Sequence, residues 1–174
     1  MVAETFDVFF CFRDTELSKG IRIMTNSEFS HTAYVKWENG KLYVADAQKD
    51  GFTLKEFAEW KQKYGYDFVA LRHPSITSDF INKGLIRESK ILGKKYDFVS
   101  TFIRKPRNII VRVLNNFTRK QRPEWKQLEG TELNRLFCSE ATAYVMQLDN
   151  IDLTPQEVFN ALTLQGWKQV KIEL

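Results

Sequence analysis

The sequence predicts an α+β domain in which a small, mainly antiparallel sheet packs against helices. Three observations predict it. Short strand-like runs interleave with stretches of helical spacing, so neither element type dominates the chain. An Asn-Gly pair joins two of the strand-like runs, which makes those neighbours antiparallel. The third observation is bulk: the 174 residues include 14 Phe, 6 Tyr and 4 Trp and are 43% hydrophobic, enough for one real core. A single domain over residues 1–174 is the expectation. The same composition, with 28% charged residues, excludes disordered, collagen-like and low-complexity classes. Two cysteines, Cys11 and Cys138, cannot make a disulfide framework.

Asp7 to Phe12 is rich in strand formers and reads as a short buried strand. Thr15 to Met24 carries Leu17, Ile21 and Met24 at helical spacing, with Asp14 or Thr15 as the cap. His31–Trp37 and Lys41–Ala47 are two strand-like runs. A type I′ turn at Asn39-Gly40, which needs positive φ at both central residues, would set Trp37 against Leu42, Val35 against Val44 and Ala33 against Asp46. That register puts His31 and Asp46 on one face of the hairpin, at a diagonal.

Thr53 to Lys63 reads as a helix capped by Thr53, and Tyr66 to Arg72 as a strand ended by His73-Pro74. Ser75 to Leu92 reads as an amphipathic helix with Ile76, Phe80, Ile81, Leu85 and Ile86 inward, weakened by Gly84. Gly93 to Tyr96 is a break, and Phe98 to Ile103 is apolar and fits either element type. Arg104 to Lys126 departs in composition, with eight basic residues against Glu124 alone; its centre, Ile109 to Phe117, reads as a helix between Pro106 and Pro123. Phe137 to Leu148 reads as a buried helix beginning at Cys138. Thr154-Pro155-Gln156-Glu157 is a helix start with a Thr cap, an early Pro and a reciprocal Glu, and Trp167 to Leu174 is a final strand.

The chemistry-bearing residues are few. There is no Cys-x-x-Cys, no His-x-x-x-His, no phosphate-cradling Gly-rich loop and no Gly-x-Ser-x-Gly elbow, so the sequence implies no metal and no cofactor. Cys138 stands at the first turn of a buried helix, where the positive end of the helix dipole stabilises a thiolate and the first-turn amides can hold an oxyanion. On spacing alone the reading as a small apolar core residue is the favoured one. Cys11, between phenylalanines in a strand, reads as core packing. A nucleophilic thiol needs a base of near-neutral pKa, for which His31 is the candidate, and the base needs an orienting acceptor, which Asp46 on the same hairpin face supplies. The bland alternatives are a strand-end histidine and an exposed aspartate. His73, before Pro74, reads as a strand-end residue.

The run Ser30-His31-Thr-Ala-Tyr-Val, the hairpin ending Val44-Ala45-Asp46-Ala47, the Gly93-Lys-Lys-Tyr96-Asp97-Phe98 element and Phe137-Cys138-Ser139-Glu140 occur in that order. Together they resemble the circularly permuted papain-like cysteine hydrolases of the NlpC-type superfamily, closest to their YiiX-like branch, in which the histidine strand precedes the cysteine helix. The resemblance runs from about Phe6 to the Thr154-Pro155 helix. It implies a permuted papain-like fold, Cys138 as nucleophile, His31 as base, Asp46 in the place of the third polar residue and Tyr96 as the tyrosine whose hydroxyl assists the oxyanion hole. Many relatives resemble Glu or His at the third position, so Asp46 is a departure. The basic stretch at about 104–126 looks like an insertion or lid.

The activity this resemblance implies is that of a thiol-dependent hydrolase cleaving an amide in a peptide, cell-wall peptide or N-acyl amine. The rival within the fold is a lipid acyl hydrolase or thiol acyltransferase, with 104–126 lying on an anionic membrane surface. The rival outside it is a non-catalytic binding module using the basic segment. A net charge of +4 and no named motif make nucleic acid a poor partner. With no signal-peptide pattern and no long apolar stretch, the reading places the chain in the cytoplasm, with release by lysis if a cell wall is the target.

Overall fold

The computed structural model describes residues 1–96 and 135–173. Phe98–Ile103 and the basic stretch at 104–126 lie outside them. The described chain runs β1 (Val8–Phe12), α1 (Glu16–Thr25), β2 (His31–Glu38), β3 (Lys41–Gln48), β4 (Gly51–Glu56), α2 (Phe57–Tyr64) and β5 (Asp67–Arg72). It continues with α3 (Ser78–Ile91), β6 (Lys95–Tyr96), β7 (Arg135–Leu136), α4 (Cys138–Val145), α5 (Pro155–Leu164) and β8 (Lys168–Val170). Six strands form one sheet in the order β4-β3-β2-β1-β5-β8, antiparallel at every junction, while β6 and β7 pair in parallel as a separate ribbon. This is the α+β architecture the sequence predicts.

The β2–β3 turn carries positive φ at both Asn39 (51°) and Gly40 (75°). The register is the one the turn dictates, with Trp37 opposite Leu42, Val35 opposite Val44 and Ala33 opposite Asp46. The expectation fails at the next segment. Thr53 does not cap a helix: Gly51–Glu56 is a third strand, reached through Lys49-Asp50, and the helix begins only at Phe57. Phe52 and Leu54, the apolar residues of that stretch, repeat every second residue and pack on the core, while Thr53 and Lys55 alternate with them. Gly51 has φ of 100°, and a Cβ there would stand 2.6 Å from the carbonyl oxygen of Lys94, so the close approach of the chain beyond α3 requires glycine.

Helix α1 is capped by Thr15, whose side chain accepts from the Ser18 amide, but its apolar spacing does not mark a core face. Leu17, Ile23 and Met24 are 57%, 81% and 38% exposed. The inward face is polar instead. Ser18 is buried and its hydroxyl accepts from the Arg13 amide (3.1 Å) and donates to the Ser30 hydroxyl (2.7 Å), fastening the helix to the residue before His31.

Alternation along the strands sorts the core into two faces. Phe6, Val8, Phe10, Tyr34, Ala45 and Ala47 pack with residues of α3, α4 and α5, whereas Phe9, Cys11, Ala33, Val35 and Val44 pack on the opposite face with Trp60 of α2. In α3 the weak point of the sequence, Gly84, is the contact point. A Cβ there would lie 2.5 Å from Cε2 of the Phe6 ring and 3.3 Å from the Val145 carbonyl oxygen. Ile86, expected inward, sits on the other side of the helix and is 57% exposed. Gly84→Ala is therefore expected to destabilise by about 1–3 kcal/mol through overpacking, against a gain of under about 1 kcal/mol from helix propensity. Urea denaturation with an unchanged m value would report it.

Candidate active site

His31 is the first residue of β2 and lies opposite Cys11 of β1, while Asp46 lies on β3 across from Ala33. Both side chains are buried, His31 to 5% and Asp46 to 1% exposure. The diagonal brings them into contact: His31 Nε2 is 2.5 Å from Asp46 Oδ1. The second carboxylate oxygen accepts from the Trp60 indole Nε1–H at 2.7 Å and from the Gln48 amide at 2.9 Å. Tyr66 stacks on the imidazole with ring centroids 5.2 Å apart and planes within 11°. The Arg13 guanidinium stands over the same Tyr66 ring, 5.5 Å from its centroid.

Charge sets the protonation of this pair. Burial by itself would press the His31 pKa down, but the Asp46 carboxylate, then Cys138 and Tyr66, outweigh it and hold the imidazole well above its ordinary value. Burial would likewise raise Asp46. The His31 charge and the bonds from His31, Gln48 and Trp60 overcome that and keep the carboxylate below its usual range. With Nε2 given to Asp46, Nδ1 is the ring nitrogen left for proton transfer.

Cys138 is the first residue of α4 and is 6% exposed. The Glu140 carboxylate accepts the Phe137 amide at 3.0 Å, capping the helix from its third residue, and the Ser139 hydroxyl donates to the Leu153 carbonyl at 2.6 Å. The Cys-Ser-Glu run thus contains one thiol and two residues that fix the helix start around it. One turn on, Thr142 Oγ1 is 3.0 Å from Oγ1 of Thr32, the residue after His31. That bond docks α4 on β2, and the Cys138 charge contributes to the imidazole's upward shift.

Tyr96 lies on β6, its backbone opposite Leu136, two residues before Cys138. Its side chain is outside the described residues. Cys11 is fully buried, its thiol 3.9 Å from the Phe9 carbonyl, and burial pushes its pKa far up, in keeping with a packing role. His73 follows β5, where Nδ1 accepts the Ser75 amide and the ring meets Trp167 edge-on. Gln48, Trp60 and Tyr66 did not emerge from the sequence. Gln48 could have, since it shares strand parity with Asp46; Trp60 and Tyr66 come from elements whose placement only the tertiary fold decides. An open cleft of about 710 Å³ between α1 and α5, lined by residues such as Arg22, Ser27 and Gln156, does not include this cluster.

No protein-family model matches the chain, and no curated protein matches it. Among solved structures it is similar to the metalloprotein YiiX from Escherichia coli O157:H7, with 22% identity over 99% of each chain and a TM-score of 0.59. The fold is YiiX-like. No helix among the described residues is long and apolar enough to cross a membrane.

Proposed function

We propose that the chain is a cysteine hydrolase of the permuted papain-like, NlpC type, cleaving an amide through an acyl-enzyme. The observation that carries this reading is the buried His31–Asp46 contact of 2.5 Å beside a helix that begins with Cys138. The Cys138 thiolate attacks the carbonyl carbon, and the oxyanion forms against the first-turn amides of α4, with the Tyr96 hydroxyl as the family resemblance suggests. The imidazolium of His31 gives its Nδ1 proton to the departing amine, leaving a thioester. Water then adds to the thioester as Nδ1 takes its proton, and the acid departs with Cys138 restored. Asp46 keeps the proton on Nε2 throughout and favours the charged ring.

The similar structure is that of a protein called a metalloprotein. Among the described residues of this chain no three His, Cys, Asp or Glu side chains gather where they could hold a metal ion. The proposed steps use the described side chains alone.

Alkylation by iodoacetamide between pH 5 and 9, with each cysteine followed by mass spectrometry, tests the reading. For each unit by which an imidazolium lowers a thiol's pKa, the thiolate fraction at pH 6 rises about tenfold while its nucleophilicity falls roughly threefold. A two-unit effect therefore leaves a net gain of about tenfold at pH 6. Cys138 is expected to show such a gain, His31→Ala to lose it, and Cys11 to stay inert in both proteins. A Cys138 that reacts like a free thiol in wild type and variant alike overturns the hydrolase reading.

One observation favours lipid as the substrate class: α1, tied to the residue before His31, turns Leu17, Ile23 and Met24 to solvent. In the lipid reading these exposed apolar residues meet the bilayer interface. Co-sedimentation with vesicles containing anionic phospholipid would then fall on Ile23→Glu; no sedimentation of the wild-type chain leaves the amide reading alone.

A further inference from the structure

We propose that Trp60 is a positioning residue of the candidate site, its indole N–H holding the Asp46 carboxylate in the orientation that orders His31. Trp60 is fully buried on α2, a helix that contributes no candidate catalytic residue. It reaches across the sheet face to Asp46 Oδ2 at 2.7 Å, while Oδ1 stays free for His31 at 2.5 Å. A lone buried carboxylate rotates and protonates. With one oxygen pinned by an indole that has a single donor and no acceptor, the other is left pointing at one place.

The indole cannot swing away to another partner. Its ring is packed between Phe9, Phe57, Tyr64 and Tyr66, with centroids 5.7–6.4 Å distant. Gln48, half-buried, adds a weaker hold on the same oxygen at 2.9 Å. The other titratable groups that act on His31 or on Cys11 opposite it are Cys138 from α4, Lys61 from α2 and Tyr66 at the entry to β5. Of the groups bonded directly to Asp46, Trp60 is the one that cannot titrate and whose ring is locked by packing on every side. It therefore stays an N–H donor at every pH, and what changes with pH is the carboxylate it holds.

The consequence for catalysis rests on the hydrolase reading; the contact does not. In ¹H–¹⁵N spectra of the wild-type protein, the Trp60 indole proton, assigned by its loss in Trp60→Phe, is expected downfield and slow to exchange. It should move in step with Asp46 when that carboxylate is protonated, and shift in His31→Ala. In Trp60→Phe an aromatic ring and most of its packing are kept while the donor is lost, so Asp46 should take up its proton at higher pH. The thiolate–imidazolium pair would then fail at higher pH, seen as an acid limb of Cys138 alkylation displaced upward with about tenfold lower rate at its foot. Gln48→Leu should move it in the same direction and less.

A merely structural tryptophan would lower the melting temperature and scale the rate equally at all pH. An indole resonance indifferent to Asp46, or a Trp60→Phe profile parallel to wild type, overturns the proposal. Should wild-type Cys138 prove unreactive, the hydrolase reading fails by itself, and the response of the indole still decides the role of Trp60.

Discussion

Glu88→Leu is expected to cost about 3–5 kcal/mol of stability. Glu88, on α3, is 4% exposed and receives two donors from β2: the Lys36 ammonium at 2.7 Å and the Tyr34 hydroxyl at 2.7 Å. Burial, reinforced by the Glu88 charge, holds the Tyr34 pKa well above its ordinary value, so the phenol stays protonated and donates. Without Glu88 the ammonium remains buried, with the Glu38 carboxylate, 3.7 Å away and half-exposed, left to offset it among the described residues, and the phenol loses its acceptor. The cost comes from stranding these groups more than from the bond itself. Lys36→Met in the Glu88→Leu background should therefore restore much of the loss, because a buried pair replaced on both sides by apolar groups is often neutral or better. Urea midpoints for the single and double variants measure this, and a double variant no more stable than the single would refute it.

How far the chain could be read in advance depended on how local each cause was. Asn39-Gly40 sets a register by itself, because only one turn geometry suits two positive φ values, and so the pairing of Ala33 with Asp46 and the meeting of His31 with Asp46 were legible from a short stretch of chain. The Thr154 and Glu157 capping box is equally local. At Thr53 a cap residue before an apolar stretch misled. The two-residue repeat of Phe52 and Leu54 and the Asp50-Gly51 pair before it were the better signal, and the strand they form leaves β3 no longer at the sheet edge. In α1 the periodicity was real but its direction was not. Burial of Ser18 through bonds to Arg13 and Ser30 decides which face turns inward, and no helical pattern records a loop that closes twelve residues later. The same holds for Trp60. Its hydrogen bond to Asp46 spans fourteen residues and depends on α2 crossing the sheet, so the sequence shows only an aromatic on an incomplete stripe.

Asp46→Asn is expected to abolish thiol activation while leaving the fold standing, because the amide can satisfy the site only by reversing the histidine. Three donors converge on the carboxylate: His31 on Oδ1, Trp60 and Gln48 on Oδ2. An asparagine has one acceptor, which must face Trp60 and Gln48. Its NH₂ then points at His31 Nε2 and donates to it, which places the ring proton on Nδ1, the nitrogen that should receive the thiol's proton. The wrong tautomer in a nucleophile–His–acid arrangement costs about 10⁴ in rate, and the low-pH alkylation of Cys138 should vanish with it.

Stability should respond in a pH window whose limits come from the pair. Asp46 is held below its ordinary 3.8, so its contribution is present above that value and lost as pH falls through the lowered pKa. His31 is held well above 6.5, so its contribution is complete below 6.5 and lost as pH rises through the raised pKa. Wild type should therefore exceed Asp46→Asn by the most, about 1–3 kcal/mol, between these two ordinary values, near pH 5. The gap should narrow in acid, where the carboxylate is neutral, and in alkali, where a neutral ring suits the amide. Urea midpoints at pH 3, 5 and 9 with ¹⁵N shifts of His31 would show both effects. A difference that does not vary with pH, with the proton still on Nε2, would mean that Asp46 packs beside His31 without governing its charge.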